Sequence, residues 1–269
     1  MSSFEKNWDT YAKLIDERKD APEWEVLRKA RESHWKEFFD IEPGEKVLDA
    51  GCGLGDYTIF ALKAKARVWT FDYSEEMTRC TAARVKRLGI EAEAVTQDSV
   101  LSIPYPDEMF DQVFCLAVLD HLSLEDRKGA LKELTRVLKT GGSLYLDVPN
   151  RLAYHWRLVF MVMRRLKMYP EGEIHFFLPW ELKKLVISFG LFPRKSLGLT
   201  ISPPFSGLYT TDIRRITFLP DPIIKILDCL YLAIEINLRR IGLFKPLCWH
   251  YFLETAKLGR TKPGEKKLS

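Results

Sequence analysis

The chain has 269 residues, 46% hydrophobic and 29% charged, enough to bury a substantial interior as one α/β domain with elaborations, which excludes a disordered or fibrous chain. With 41 Lys and Arg against 37 Asp and Glu the formal charge is +4, too small to mark by itself a nucleic-acid footprint, so nucleic acid is not an expected partner. The five cysteines, Cys52, Cys80, Cys115, Cys229 and Cys248, form no C-x-x-C pair and no regular spacing, which argues against zinc and against a disulfide framework.

The first twenty residues carry charges where a secretory segment would be apolar, so a cytoplasmic protein is expected. Residues 1–40 read as two helical segments rich in charge and in Trp8, Tyr11, Trp24 and Trp35, an N-terminal helical lid. The turn Glu42-Pro43-Gly44-Glu45 then opens the main domain. Apolar runs alternate with helical ones from there. Lys46–Ala50, Arg67–Phe71, Glu91–Val95, Phe110–Leu116 and Ser143–Val148 read as strands, and Asp56–Lys65, Glu75–Leu88 and Leu124–Leu138 as helices. This alternation predicts a doubly wound, mostly parallel sheet.

After Pro149 the rhythm stops. Insertions at about 151–175 and 201–247 interrupt a domain spanning 41–258, with Pro179–Phe189 as a helix, Pro193–Thr200 and Trp249–Leu258 as closing strands, and 259–269 as a disordered tail. That brings the sheet to seven strands. The stretch Pro222 to Ile236 is interrupted by Lys225, Asp228 and Glu235, whereas a bilayer span needs about 20 mainly apolar residues, so no transmembrane helix is predicted.

Candidate chemistry begins at Asp49-Ala50-Gly51-Cys52-Gly53-Leu54-Gly55, a glycine loop between a buried strand and a helix. Such a loop turns tightly, lets a ligand approach bare backbone and offers the helix's unpaired N–H groups. The next strand ends in Phe71-Asp72, where a carboxylate can accept both hydroxyls of a ribose, a role that also occurs with NAD. The third strand leads to Gln97-Asp98-Ser99, where an acid can accept from an adenine amino group while a neighbouring N–H donates to the ring.

These residues resemble the class I S-adenosylmethionine (SAM) dependent methyltransferases, especially the broad group that includes quinone-pathway and small-molecule enzymes. The likeness runs through Leu48–Gly55, Phe71-Asp72-Tyr73-Ser74, Gln97-Asp98, Phe110–Cys115 and Leu138–Ser143, about residues 40–150, with a looser echo at His175–Phe192. It implies a Rossmann-like methyltransferase fold with SAM as cofactor, Gly51 and Gly53 against its methionine portion, Asp72 on the ribose and Asp98 at the adenine. A carbonyl of Cys115 or Leu116 would meet its ammonium, while Asp49 orders the loop or reaches the ammonium through water. Tyr73, Ser99 and Gly55 complete the expected cofactor set. The rival on this scaffold, a dinucleotide oxidoreductase, usually shows G-x-G-x-x-G without an acid before the first glycine.

Asp120-His121 follows the fourth strand, where the family often has an acid–His pair, and His121 is the candidate base, since an unperturbed imidazole titrates near neutrality. His175, which opens His175-Phe176-Phe177-Leu178-Pro179-Trp180, is the weaker candidate. No metal is expected, because Ala117 stands where a metal-binding relative carries a carboxylate. Asp147-Val148-Pro149-Asn150 only superficially resembles the Asn/Asp-Pro-Pro motif of nucleobase amine methyltransferases and reads as strand end and turn.

The insertions would hang over the carboxyl edge of the sheet and form a cap. In the first, Tyr154, Trp156, Phe160, Met161 and Met163 alternate with Arg151, Arg157, Arg164, Arg165 and Lys167; in the second, Ile223, Ile226, Leu227, Leu230, Tyr231, Ile234, Leu238 and Ile241 make an apolar stripe. Such faces suit packing against each other, a homodimer, an amphipathic or aromatic small-molecule acceptor, or peripheral membrane contact. The rival functions are a SAM- or nucleotide-binding partner protein without chemistry and an RNA methyltransferase, the latter marked by salt-sensitive RNA affinity.

Overall fold

A computed structural model describes residues 8, 9, 12, 32, 34–165, 174–199, 230 and 247–258. Tyr11, Trp24, the second insertion apart from Leu230 and Leu247, and the tail 259–269 lie outside the described residues.

The strands are β1 (Lys46–Ala50), β2 (Arg67–Asp72), β3 (Ala94–Gln97), β4 (Phe110–Leu116), β5 (Leu138–Pro149), β6 (Leu191–Leu199) and β7 (His250–Lys257). They form one sheet in the order β3-β2-β1-β4-β5-β7-β6. The pairs from β3 to β5 are parallel, and β7 runs antiparallel to both β5 and β6. The helices are α1 (Asp56–Lys63), α2 (Glu75–Arg87), α3 (Leu124–Val137), α4 (Tyr154–Arg165) and α5 (Pro179–Ser188). The expected seven-stranded, mostly parallel Rossmann-like fold is present.

Two-residue periodicity splits each central strand between two cores. Leu48, Val113 and Leu144 face one side with Leu131 and Leu134 of α3 and Leu182 and Val186 of α5. Their neighbours Val47, Phe114 and Tyr145 face the other, with Phe60 of α1 and the aromatic group Trp35, Phe38 and Phe39. Because both faces are covered, the central strands read as near-continuous apolar runs.

The largest boundary differences from the sequence reading fall at two strands. β3 lies at Ala94–Gln97 rather than Glu91–Val95, because its register with Trp69–Asp72 of β2 selects the later residues. β5 begins at Leu138 rather than Ser143, and Gly142 is what permits it: a Cβ there would stand 2.6 Å from the Asp111 carbonyl oxygen. Among the described residues no helix is long and apolar enough to cross a membrane.

The strand order reverses between β1 and β4, so a crevice opens beyond their carboxyl ends, the position where open α/β sheets bind ligands. β7 starts at that same edge because it runs the opposite way.

Candidate active site

Gly51, Gly53 and Gly55 all take the left-handed conformation, with φ of +88°, +52° and +78°. At Gly51 a Cβ would stand 2.3 Å from Val118 Cγ2, whereas at Gly53 it would meet nothing within 4 Å among the described residues. The first glycine is therefore required by the fold, and the second leaves bare backbone beneath open space. The loop is held from behind: the Gly51 and Cys52 amides both donate to the Phe71 carbonyl at 2.9 Å. The Thr81 hydroxyl donates to the Gly53 carbonyl at 2.8 Å, and Arg84 donates to the Leu54 carbonyl and to Asp56.

Asp49 is buried, with Oδ2 2.6 Å from the Thr58 hydroxyl, which lies 3.1 Å from that of Thr70. Thr70 in turn donates to the Asp49 carbonyl at 3.2 Å. Burial raises the Asp49 pKa to about 7, against the lowering effect of the Thr58 hydrogen bond. A protonated Asp49 closes the relay, since its O–H can donate to Thr58, freeing Thr58 to donate to Thr70. With a folded pKa above the unfolded value, Asp49 contributes most at acidic pH, and that contribution is lost as pH rises through about 7. Asp49→Asn is therefore expected to gain on the parent as pH climbs from about 4 to 7 and to hold a constant lead above it. Thermal unfolding should show a Tm gap of a few degrees at alkaline pH, since 1 kcal/mol moves Tm by about 2–4 °C in a chain of this size. A gap independent of pH would contradict the burial argument.

Asp72, at the tip of β2, accepts from the Gly53 amide on Oδ2 at 2.8 Å and from the Ser74 amide on Oδ1 at 3.0 Å. With the Tyr73 amide also bonded to the carboxylate, its two oxygens keep one further acceptor position for a ligand. Burial raises its pKa despite these amides. Tyr73 is 44% exposed at the same rim. Asp98 follows β3 directly, its amide on the Asp72 carbonyl at 3.0 Å, and Ser99 Oγ accepts from the Leu101 amide at 3.2 Å. The strand tips thus bring Gly51, Gly53, Asp72 and Asp98 to one edge.

Cys115 and Leu116 end β4 in the core. Next, Ala117 adopts φ +55°, and its amide bonds the Asp147 carbonyl at 3.0 Å. This uncommon backbone for a residue with a Cβ turns Val118 onto Gly51 and leads into the 3₁₀ turn Leu119–His121. There His121 Nε2 lies 3.4 Å from Asp120 Oδ2. Trp8 meets the His121 ring edge-on at 4.8 Å, Asp9 accepts from the Ser74 hydroxyl at 2.5 Å, and Ala12 packs with Leu54, Met77 and Cys80.

His175 adjoins this turn through its backbone. Its ring stacks edge-on against Phe177 at 4.7 Å, its amide donates to the Asp120 carbonyl, and burial, then Arg127 and Arg151, lower its pKa.

The sequence reading missed a second acid–imidazole pair, His250 Nδ1 with Asp147 Oδ2 at 2.8 Å. From the sequence Asp147 reads as strand end and turn, and His250 as part of a closing strand. The two are 103 residues apart in sequence, and only the insertion of β7 beside β5 makes them neighbours. Burial raises the pKa of Asp120, which feels the charges of His121, Asp147 and His250. Asp120 Oδ1, His121 Nδ1 and Asp147 Oδ1 are buried without a hydrogen-bond partner among the described residues. A buried polar atom left without water or another partner costs roughly 1–3 kcal/mol.

A family model described as a methyltransferase domain matches residues 47–142. The demethylmenaquinone methyltransferase of Bacillus cytotoxicus is 31% identical over 157 residues, 55% of this chain and 65% of that protein. The ubiquinone/menaquinone biosynthesis C-methyltransferase of Bordetella parapertussis is 36% identical over 126 residues, 44% of this chain and 48% of that protein. The chain thus spans about half to two thirds of the length of these curated relatives. Among solved structures, a SAM-dependent methyltransferase from Aquifex aeolicus aligns with TM-score 0.52 and 24% identity, covering 68% of this chain and 90% of that one. A Haloferax volcanii methyltransferase in complex with the activator Trm112 aligns with TM-score 0.63 and 16% identity, covering 97% and 100%. At these identities the two structures establish the fold alone.

Proposed function

We propose that the chain, which matches a methyltransferase-domain model over residues 47–142 and is 31% identical to a demethylmenaquinone methyltransferase over 55% of its length, is a class I SAM-dependent methyltransferase that transfers the SAM methyl group to a small amphipathic acceptor bearing a quinol-type ring. The observation that carries the cofactor half of this reading is the Gly53 backbone, open above and tied to Asp72. Gly51 and Gly53 give the methionine portion a backbone surface, Asp72 offers its remaining acceptor capacity to the ribose, Asp98 and Ser99 border the adenine, and a carbonyl of Cys115 or Leu116 faces the ammonium. Bound SAM supplies an activated methyl on a sulfonium, so the chain's own task is to align the acceptor and accept its proton.

His121 is the base at the cofactor end, with Asp120 beside it and Trp8 over the ring. His175 packs rather than reacts. The acceptor class follows the curated relatives, whose names specify quinone-pathway methylation, and the aromatic set Trp156, Trp249 and Phe176 beside the crevice, with ring centroids 5.0–5.4 Å apart, suits a flat apolar ring. Tyr154, Leu158 and Met161 on the exposed face of α4 suit a lipid-tailed acceptor taken from a membrane surface.

S-adenosylhomocysteine is expected to raise Tm by mass action, by about 2.7 kcal/mol of stability at a hundredfold excess over Kd, whereas NAD leaves it unchanged. No shift at saturation would remove the cofactor assignment. Labelled methyl from SAM, offered to a cell extract, is expected in the lipid fraction; recovery in RNA or protein instead would overturn the acceptor class.

A further inference from the structure

The pleat of the sheet explains the second imidazole. Asp147 of β5 stands directly opposite Phe252 of β7, and His250 is two residues before Phe252, so all three side chains share one face and Asp147 and His250 are diagonal neighbours. β7 begins where the parallel strands end, which puts His250 at the crevice beside the tip of β4, where Leu116 is in register with Asp147.

The two partners differ in exposure. The Asp147 side chain is 2% exposed and that of His250 26%. The bond at Nδ1 orients the ring and leaves Nε2 on its far side. Asp147 Oδ1 is buried without a partner among the described residues, so the carboxylate has nothing else to serve. The charged groups around the pair are Asp120 and His121 from the 3₁₀ turn.

We propose that His250, positioned by Asp147, is a second catalytic imidazole of the acceptor site and exchanges the proton of the acceptor's hydroxyl group. The inference rests on the quinol reading above and deepens it. Methylation at a ring carbon next to a hydroxyl moves two protons. As the O–H bond breaks, its proton passes to His250 Nε2, its electron pair enters the ring as a C=O bond, and the ring carbon bonds to the methyl. The methyl–sulfur bond breaks, and its electrons return to sulfur as a neutral thioether. The methylated carbon then loses its hydrogen as a proton to His121, the C–H electrons restore the aromatic ring, and the oxygen takes its proton back from His250. One proton is released overall, from His121, with no oxidant or reductant consumed. A neutral His250 whose Nδ1–H donates to Asp147 is the tautomer that leaves the Nε2 lone pair available.

Two measurements on the full chain test this. In the first, without acceptor, nitrogen-15 NMR of the histidine rings is expected to show His250 as the Nδ1–H tautomer and to lose that preference in Asp147→Asn; an Nε2–H ring in the parent overturns the proposal whatever the acceptor is. In the second, with SAM and 2-prenyl-1,4-naphthohydroquinone held reduced as probe, His250→Gln is expected to lower kcat about 10²–10³-fold at neutral pH. KM for SAM and the stabilisation by S-adenosylhomocysteine stay unchanged. Because an ionised hydroxyl no longer needs a base, most of the lost rate returns at alkaline pH, a recovery that a purely structural role would not give. A parent-like kcat in His250→Gln, or a loss that pH does not relieve, overturns the proposal. Absence of methyl transfer to the probe by the parent enzyme sinks the quinol reading, and with it the proton exchange at the hydroxyl, while the tautomer measurement still judges the Asp147–His250 pair.

Discussion

Replacing Gly51 by alanine is expected to weaken S-adenosylhomocysteine binding by roughly two orders of magnitude and to lower Tm at the same time. The added Cβ would lie 2.3 Å from Val118 Cγ2, and a β-branched side chain cannot easily rotate clear. The backbone contributes as well, since φ of +88° costs an L-residue about 1–2 kcal/mol, and overpacking adds about 1–3 kcal/mol. Val118 sits between Ala117, already in a left-handed conformation, and the turn carrying His121. Any shift of Val118 therefore moves the β4 tip and the candidate base together. At about 1.4 kcal/mol per tenfold, a disturbance of this size gives the stated loss.

Gly53→Ala is the informative contrast. Its Cβ would meet no atom of the described residues within 4 Å, so among them the fold pays only the left-handed backbone term, about 1 kcal/mol. The new methyl projects into the space assigned to the cofactor. Calorimetric titration should show a loss of affinity beside a Tm close to that of the parent. A Gly53→Ala variant that binds as tightly as the parent would mean the ligand does not lie above this loop.

What could be read in the sequence was local. The strand–helix alternation, the glycine loop and the acids at Asp72 and Asp98 each lie within a short window, where periodicity and turn chemistry act directly. Asp49 could be read as a residue that orders the loop, but not its partner Thr58, because the meeting depends on how α1 seats against β1. Asp147 and His250 could not be paired at all. Residues so far apart in sequence meet only through the position and direction of β7, and neither strand's own pattern specifies that placement. The strained Ala117 was likewise invisible, since nothing in Cys115-Leu116-Ala117-Val118 demands a positive φ; the demand comes from the Asp147 carbonyl and the Gly51 contact.

Asp72→Ala is expected to weaken SAM and S-adenosylhomocysteine by roughly 10- to 150-fold, the equivalent of the 1.5–3 kcal/mol typical of hydrogen bonds to a charged group. The carboxylate has two tasks that the variant separates. It fastens the loop, through the Gly53 amide at 2.8 Å, and the start of α2, through the Ser74 amide at 3.0 Å; both amides lose that acceptor in the variant. The α2 end is buffered, because Ser74 Oγ still caps the Met77 amide at 3.2 Å, so the fold should survive with a modest fall in Tm. At the loop end the Gly53 amide loses its acceptor, while the Thr81 hydroxyl still ties the Gly53 carbonyl at 2.8 Å. Asp72→Asn keeps a carbonyl oxygen for one amide but cannot accept from a second donor on its nitrogen side, so its affinity should fall between the parent and the alanine variant. Equal affinities across the three proteins in a calorimetric titration would show that Asp72 holds only the loop and touches no ribose.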